Sequence, residues 1–137
     1  AADLLTVPRG EITLAGLREN IRVGLIYLQS WLGGLGCVPI NHLMEDLATA
    51  EICRSQVLQW LRHSVRASDG TTITRPLVEG YLEEEVAKLQ GEKTDNPLAI
   101  AAAIFKRMIE MADVHFDDFM SLVAYDFVVR TIPKASL

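Results

Sequence analysis

The residues that most often betray an activity are scarce in this chain. Cysteine occurs twice in 137 residues, at Cys37 and Cys53. The two form neither a CxxC nor a zinc-ligand spacing. In a domain of this size they read as reduced intracellular thiols sooner than as a disulfide framework. Basic residues are outnumbered, 13 Lys and Arg against 18 Asp and Glu, giving a net charge of −5. That balance argues against nucleic acid as a partner, because counterion release needs a basic face. The amino end has no basic-then-apolar layout, so secretion is not expected. It also has no Met: Ala1 reads as a processed, cloned or truncated start, and the chain as part of something longer. A Ser-His-Asp constellation, a phosphate-cradling glycine loop and an HExxH are all missing. So are an internal repeat and any stretch with the two-residue period of a strand.

Charge is absent from one long stretch, Val23 to Ile40 ("VGLIYLQSWLGGLGCVPI"), about the length of the shortest bilayer spans. It contains Gln29, Ser30, four glycines and Pro39, and its apolar residues continue a pattern begun upstream. It therefore reads as a buried helix running into a glycine-rich turn, not as a membrane segment.

Half of the sequence is hydrophobic and 23% is charged, the composition of one globular domain able to bury a core. Leu14, Leu17, Ile21, Gly24, Leu28, Trp31 and Leu35 fall three and four apart. That spacing predicts a first helix, with Thr13 as its N-cap and Gly33, Gly34 and Gly36 as its stop. Val23, Leu25 and Tyr27 lie off the stripe, so this helix should be covered on more than one side. A second helix is expected from Leu47 to about His63, with Ile52, Gln56, Trp60 and His63 along one line and Leu58 and Leu61 widening its apolar face. Asp69-Gly70 suits a tight hairpin. Thr74 and Pro76 begin a third helix through Leu77, Tyr81, Leu82, Val86 and Leu89, with Glu83, Glu84 and Glu85 as a solvated run. "GEKTDNP" is a loop. A fourth helix is expected from Pro97 to about Met111 and a fifth from about Phe116 to Val129. The fold class is all-α, a single domain over residues 1–137.

Two adjacent carboxylates, Glu45 and Asp46, stand where the second helix begins. Asp46 has a structural reading as an N-cap, accepting a hydrogen bond from the N–H of Ala48 or Thr49 and contributing about 1 kcal/mol. It has a functional one as well. The residues before it (Cys37, Val38, Pro39, Ile40, Leu43, Met44) are mostly apolar, and an acid at the rim of such a segment is a candidate general base. Cys37 has no obvious activating base and reads as a buried thiol. His42, His63 and His115 are scattered and read as structural histidines.

The words of the first half carry a resemblance. "LRENIRVG", "YLQSW", "GCVPINHLMEDLATAEICR" and "QWLRH" occur in the order found in the C-terminal part of malate synthase, the shorter isoform. The likeness is close over residues 6–63 and weaker over 64–137, where "SDGTTIT" and "FDDFMSLVAYDFV" are similar to the family's tail.

The resemblance implies a helical plug that caps a (β/α)8 barrel, with an active site between them. There acetyl-CoA condenses with glyoxylate and water to give malate and CoA. By that likeness Asp46 is the general base that removes a proton from the acetyl methyl group. Met44, Cys37 and Pro39 would lie beside the thioester and pantetheine arm. An arginine and Mg²⁺ would belong to the barrel, no metal ligand falls on this chain, and the isolated chain should be inactive. Leu47 replaces the small residue usual after the Asp, and Cys53 stands where Ser is common. Two other readings remain open: a non-catalytic helical interaction module, and the end of a bifunctional protein with isocitrate lyase fused ahead of the barrel. The ending "PKASL" is close to a peroxisomal signal without matching it, which leaves peroxisome or glyoxysome and cytoplasm both open.

Overall fold

The computed structural model describes residues 5–6, 10–90 and 96–131. Most of the "GEKTDNP" loop and the "PKASL" ending lie outside these. Among the described residues five helices carry the fold: α1 (Leu14–Leu32), α2 (Leu47–Arg62), α3 (Arg75–Gln90), α4 (Asn96–Met111) and α5 (Met120–Thr131). Between α1 and α2 sits a two-stranded antiparallel hairpin, β1 (Val38–Ile40) and β2 (Leu43–Glu45). The all-α expectation holds with that one addition, and none of the described helices is long and apolar enough to cross a membrane.

α1 is the axis of the domain, touching α2, α3, α4, α5 and β1. Its expected stripe is buried at Leu17, Ile21 and Leu28, and Val23, Leu25 and Tyr27 are buried as well. Coverage on more than one side follows. Thr13 caps it, its hydroxyl accepting from Gly16 N–H at 3.0 Å. The helix ends in a Schellman turn: Leu35 N–H donates to the Ser30 carbonyl and Gly34 N–H to that of Trp31, each at 2.9 Å. Gly34 supplies the positive φ of +93° that this turn requires.

Gly24 marks the crossing of α1 and α4. A Cβ added there would lie 2.7 Å from Cε2 of Phe105, a ring that is itself fully buried and has nowhere to go. Gly24→Ala is therefore expected to destabilise the protein by about 1–3 kcal/mol through overpacking, although alanine is the better helix former. Urea unfolding of the wild type and the variant measures the difference.

Three expectations are corrected. The buried face of α2 is Ala50, Cys53, Arg54, Val57, Leu58 and Leu61, while Ile52 and Gln56 face outward. The fifth helix starts at Met120 and not near Phe116, because residues 117 and 118 are held by tertiary bonds described below. Glu85 is buried and not solvated. It falls four and three residues into the stripe Val78, Leu82, Glu85, the buried face of α3.

Glu85 is neutralised from two sides. Arg18 Nη1 of α1 reaches its Oε1 at 2.9 Å, and Lys88 Nζ reaches the same oxygen at 2.6 Å. Arg18 also pairs with Glu84 at 2.6 Å and lies 4.2 Å over the ring of Tyr81. Burial pushes the Glu85 carboxyl upward, yet the hydrogen bonds and charges of Lys88 and Arg18 outweigh it and hold the group below its ordinary 4.5. The unfolded chain then binds the proton more readily than the folded one. The stability this site contributes is present above the unfolded value of about 4.5 and is lost as pH falls through the folded one. Urea midpoints across that acid range should decline less steeply for Glu85→Gln than for the wild type.

Candidate active site

The glycine-rich turn after α1 delivers the chain to the hairpin. Its register pairs Val38 with Glu45, Pro39 with Met44 and Ile40 with Leu43. The two-residue connection, Asn41-His42, has φ of +50° and +66°, the double positive value of a type I′ turn. Asn41 is tied back to α1: Arg22 Nη1 donates to its Oδ1 at 3.2 Å, and its own amide donates to Glu19 Oε1. Val38 and Ile40 point into the core, and Pro39 faces outward. Met44, the partner of Pro39 on that outward face, is 65% exposed, so the face is apolar; Leu43, beside the turn on the other face, is 63% exposed.

Asp46 follows β2 directly and is the N-cap of α2. Its backbone is extended (φ −113°, ψ −175°), and Oδ1 accepts from Thr49 N–H at 3.2 Å. The structural role read from the sequence is therefore realised. Asp46 is also exposed, and among the described residues no second hydrogen bond engages its carboxylate. One turn-capping bond leaves most of its acceptor capacity open. Cys37 and Asp46, both exposed, stand one residue beyond the last register pair, Val38 and Glu45, next to the outward pair Pro39 and Met44. The four residues singled out in the sequence are thus all exposed and grouped at the hairpin and its open end.

Cys37 is exposed, which corrects the buried reading. It lies in the turn just before β1, outside the packed positions of the strand. The buried thiol is Cys53, on the inner face of α2. Burial, with the charges of Glu45 and Glu19, pushes its pKa up to about 11 and keeps it an inert thiol. Tyr27 lies beneath the patch and donates its hydroxyl to the Gly36 carbonyl at 3.0 Å, pinning the turn that presents Cys37. Burial raises the Tyr27 pKa, with the charges of Asp46 and Cys37 adding to it, so the phenol remains a proton donor. The three histidines have structural places: His42 in the hairpin turn, His63 as the C-cap of α2, and His115 meeting Asp117 at 3.0 Å.

A second feature beside the patch was not read from the sequence. Arg54, 1% exposed, donates from Nε to Glu51 Oε2 at 2.9 Å, from Nη1 to the Asp117 carbonyl at 2.9 Å and from Nη2 to the Asp118 carbonyl at 3.2 Å. The other oxygen of Glu51 accepts from Met120 N–H at 2.7 Å, the first residue of α5. Phe116 lies under the guanidinium at 4.8 Å. This network fastens the start of α5 to α2 and forms one wall of a groove of about 340 Å³, lined also by Ile52, Gln59 and Phe119. A Glu and Arg three apart on a helix ordinarily signal a solvated surface pair. The pattern was present in "AEICR", but its burial depends on contacts from residues 116–120.

Among the described residues no group of three or more His, Cys, Asp and Glu side chains is placed to hold a metal ion. The Mg²⁺ implied by the resemblance has no fitting site on this part of the chain.

Residues 11–128 match the family model described as malate synthase, C-terminal. The chain is 46% identical over 129 residues to a malate synthase of Myxococcus xanthus, covering 91% of this chain and 24% of that protein. It is 42% identical over 136 residues to a glyoxysomal malate synthase of Candida tropicalis, covering 97% and 24%. A bifunctional glyoxylate cycle protein of Caenorhabditis elegans is 42% identical over 135 residues, 93% of this chain and 13% of that one. The chain spans about a quarter of the length of the malate synthases it matches.

Proposed function

This chain belongs to the malate synthase family, matching its C-terminal domain, and on that premise we propose that it supplies the general base, Asp46, for the condensation of acetyl-CoA with glyoxylate. The carboxylate takes a proton from the acetyl methyl group. The resulting enolate carbon bonds to the aldehyde carbon of glyoxylate, and water then cleaves the malyl thioester to malate and CoA. Met44, Pro39 and Cys37 line the acetyl-CoA side. The observation that supports this reading is the placement of Asp46: it is capped by one bond, otherwise open, and set at the edge of an exposed apolar hairpin face.

The same geometry argues that this domain works only with the rest of the enzyme. A thioester methyl is a very weak acid, so the enolate oxygen needs strong electrostatic stabilisation as its charge develops. Three guanidinium groups of this domain are already engaged. Arg22 is bound by Asn41 and Glu19, Arg54 is buried on Glu51 and two carbonyls, and Arg18 is held by Glu84 and Glu85. The stabilising cation and the Mg²⁺ belong, on this reading, to a barrel domain that completes the site. Of the two compartments left open by the sequence, peroxisome or glyoxysome and cytoplasm, the glyoxysomal relatives from Candida tropicalis and Zea mays favour the first.

The test is a comparison of the complete enzyme with these 137 residues alone. Malate formation is expected from the first and not from the second. Turnover by the isolated chain at an ordinary enzymatic rate of roughly 1–10³ s⁻¹ would refute the division of labour.

A further inference from the structure

α5 carries an apolar face that nothing described covers. Leu122, Tyr125 and Val129 fall three and four apart along it, and each is more than half exposed. Phe119 extends the stripe at the start of the helix, and Ile52 of α2 continues it across the groove that Phe119 also lines. Asp118 and Asp126 flank it, both exposed. The inner side of the same helix is already used, with Met120 and Ala124 fully buried against the core. The outer stripe is therefore a second apolar face on a helix whose packing is complete.

We propose that this face is an intramolecular docking surface, covered in the complete protein by an apolar patch with Lys or Arg at its rim on the upstream three quarters of the same polypeptide. The proposal rests on the functional reading above and deepens it by naming where the missing part sits beyond Asp46. Two observations favour that occupant over a second copy of the chain. Five side chains of this size, each a little over half exposed, leave on the order of 500 Å² uncovered. A stable association of free partners takes about 800 Å² from each, so the stripe is small for a dimer. A tether changes the requirement, because linked partners meet at an effective concentration of about millimolar. The relatives, of which this chain spans 24%, supply such a tether. The acidic flanks then call for a basic rim opposite, and two copies of the same face would set like charges against each other.

The candidate base caps α2, the helix to which the start of α5 is bonded. Ile52 lies six residues into α2 from Asp46, about 9 Å along the helix axis. The Arg54–Glu51 network bonds the start of α5 to α2, the helix that Asp46 caps, and so links the two surfaces.

The experiment uses the complete enzyme carrying Leu122→Cys or, separately, Val129→Cys. Each is labelled with a maleimide, and the modified α5 peptide is followed by mass spectrometry. Labelling in the native enzyme is expected to be slowed about 100-fold or more relative to the same protein in urea, as for a site that opens only transiently. Free labelling of both positions overturns the proposal. Protection that fades on dilution, with the enzyme dissociating, overturns it in favour of a second copy. A carbodiimide cross-link from Asp118 or Asp126 to an upstream lysine of the same polypeptide is the expected complement, and a cross-link between copies counts against it. Malate formation by the same preparations separates the two readings. Activity with free labelling sinks this proposal alone, and protection without activity in the unsubstituted enzyme sinks the functional reading alone.

Discussion

In the complete enzyme, Asp46→Asn is expected to abolish exchange of the acetyl methyl protons and to lower malate formation by roughly 10²–10⁴-fold, the usual contribution of a positioned general base. Folding stability should hardly change. Asp46 caps α2 through one acceptor, Oδ1 on Thr49 N–H, and an asparagine side-chain oxygen serves that bond about as well. The substitution therefore removes the proton acceptor and keeps the cap. Asp46→Ala separates the two roles from the other side: it should lose the same activity and in addition about 0.5–2 kcal/mol of stability. Solvent deuterium exchange into acetyl-CoA, read beside urea midpoints for both variants, checks the pair. If methyl exchange persists in Asp46→Asn, the base lies elsewhere and Asp46 is a cap only.

That Asp46 is both a helix cap and a candidate base could be read in advance because each reading has a local signature. A cap needs a short acceptor at a helix start, and a candidate base needs an acid at an apolar rim, so both are visible within a dozen residues. The same holds for Thr13, for the Schellman stop at Gly34, and for the periodicity of α1 and α3. What could not be read depends on partners distant in sequence. The hairpin comprises two three-residue strands inside an uncharged run, and its turn, Asn41-His42, lacks the glycine that marks a type I′ turn most clearly. Its conformation is held by Glu19 and Arg22 from α1. Asp69-Gly70 had the stronger hairpin signature, and the chain does turn back there through the Arg66–Thr72 bridge and the bonds Ala67 N–H to Thr71 and Ile73 N–H to Val65. The exposed Cys37 and buried Cys53 show the same limit, since composition cannot tell which side of a turn a thiol occupies. Glu85 is the instructive miss. The expected line of α3 ran through Leu82, three residues before it, but its charge argued for solvent until Arg18, 67 residues away, supplied the partner.

Removal of the Arg54 side chain is expected to be the most damaging change to the fold that a single substitution on α2 can make. Its guanidinium, almost wholly buried, satisfies two backbone carbonyls and one carboxylate at once. Arg54→Met fills most of the volume but leaves Glu51, itself only 13% exposed, without its counter-charge and the Asp117 and Asp118 carbonyls without donors. Breaking a buried pair in this way costs about 3–5 kcal/mol, a large share of the roughly 5–15 kcal/mol that holds a typical domain folded. Arg54→Lys should fall between the two, because an ammonium on a flexible stem cannot reproduce a planar fork that reaches three acceptors. Adding Glu51→Gln to Arg54→Met removes the stranded charge and keeps an acceptor for Met120 N–H. The double variant should then be less unstable than the two single losses added together, a coupling that urea unfolding of the four proteins measures. Strict additivity would mean that the carboxylate was already satisfied by solvent, and the network would then be no more than a surface ion pair. A positive coupling identifies Arg54 and Glu51 as the clamp that sets the start of α5 against α2, the helix that Asp46 caps.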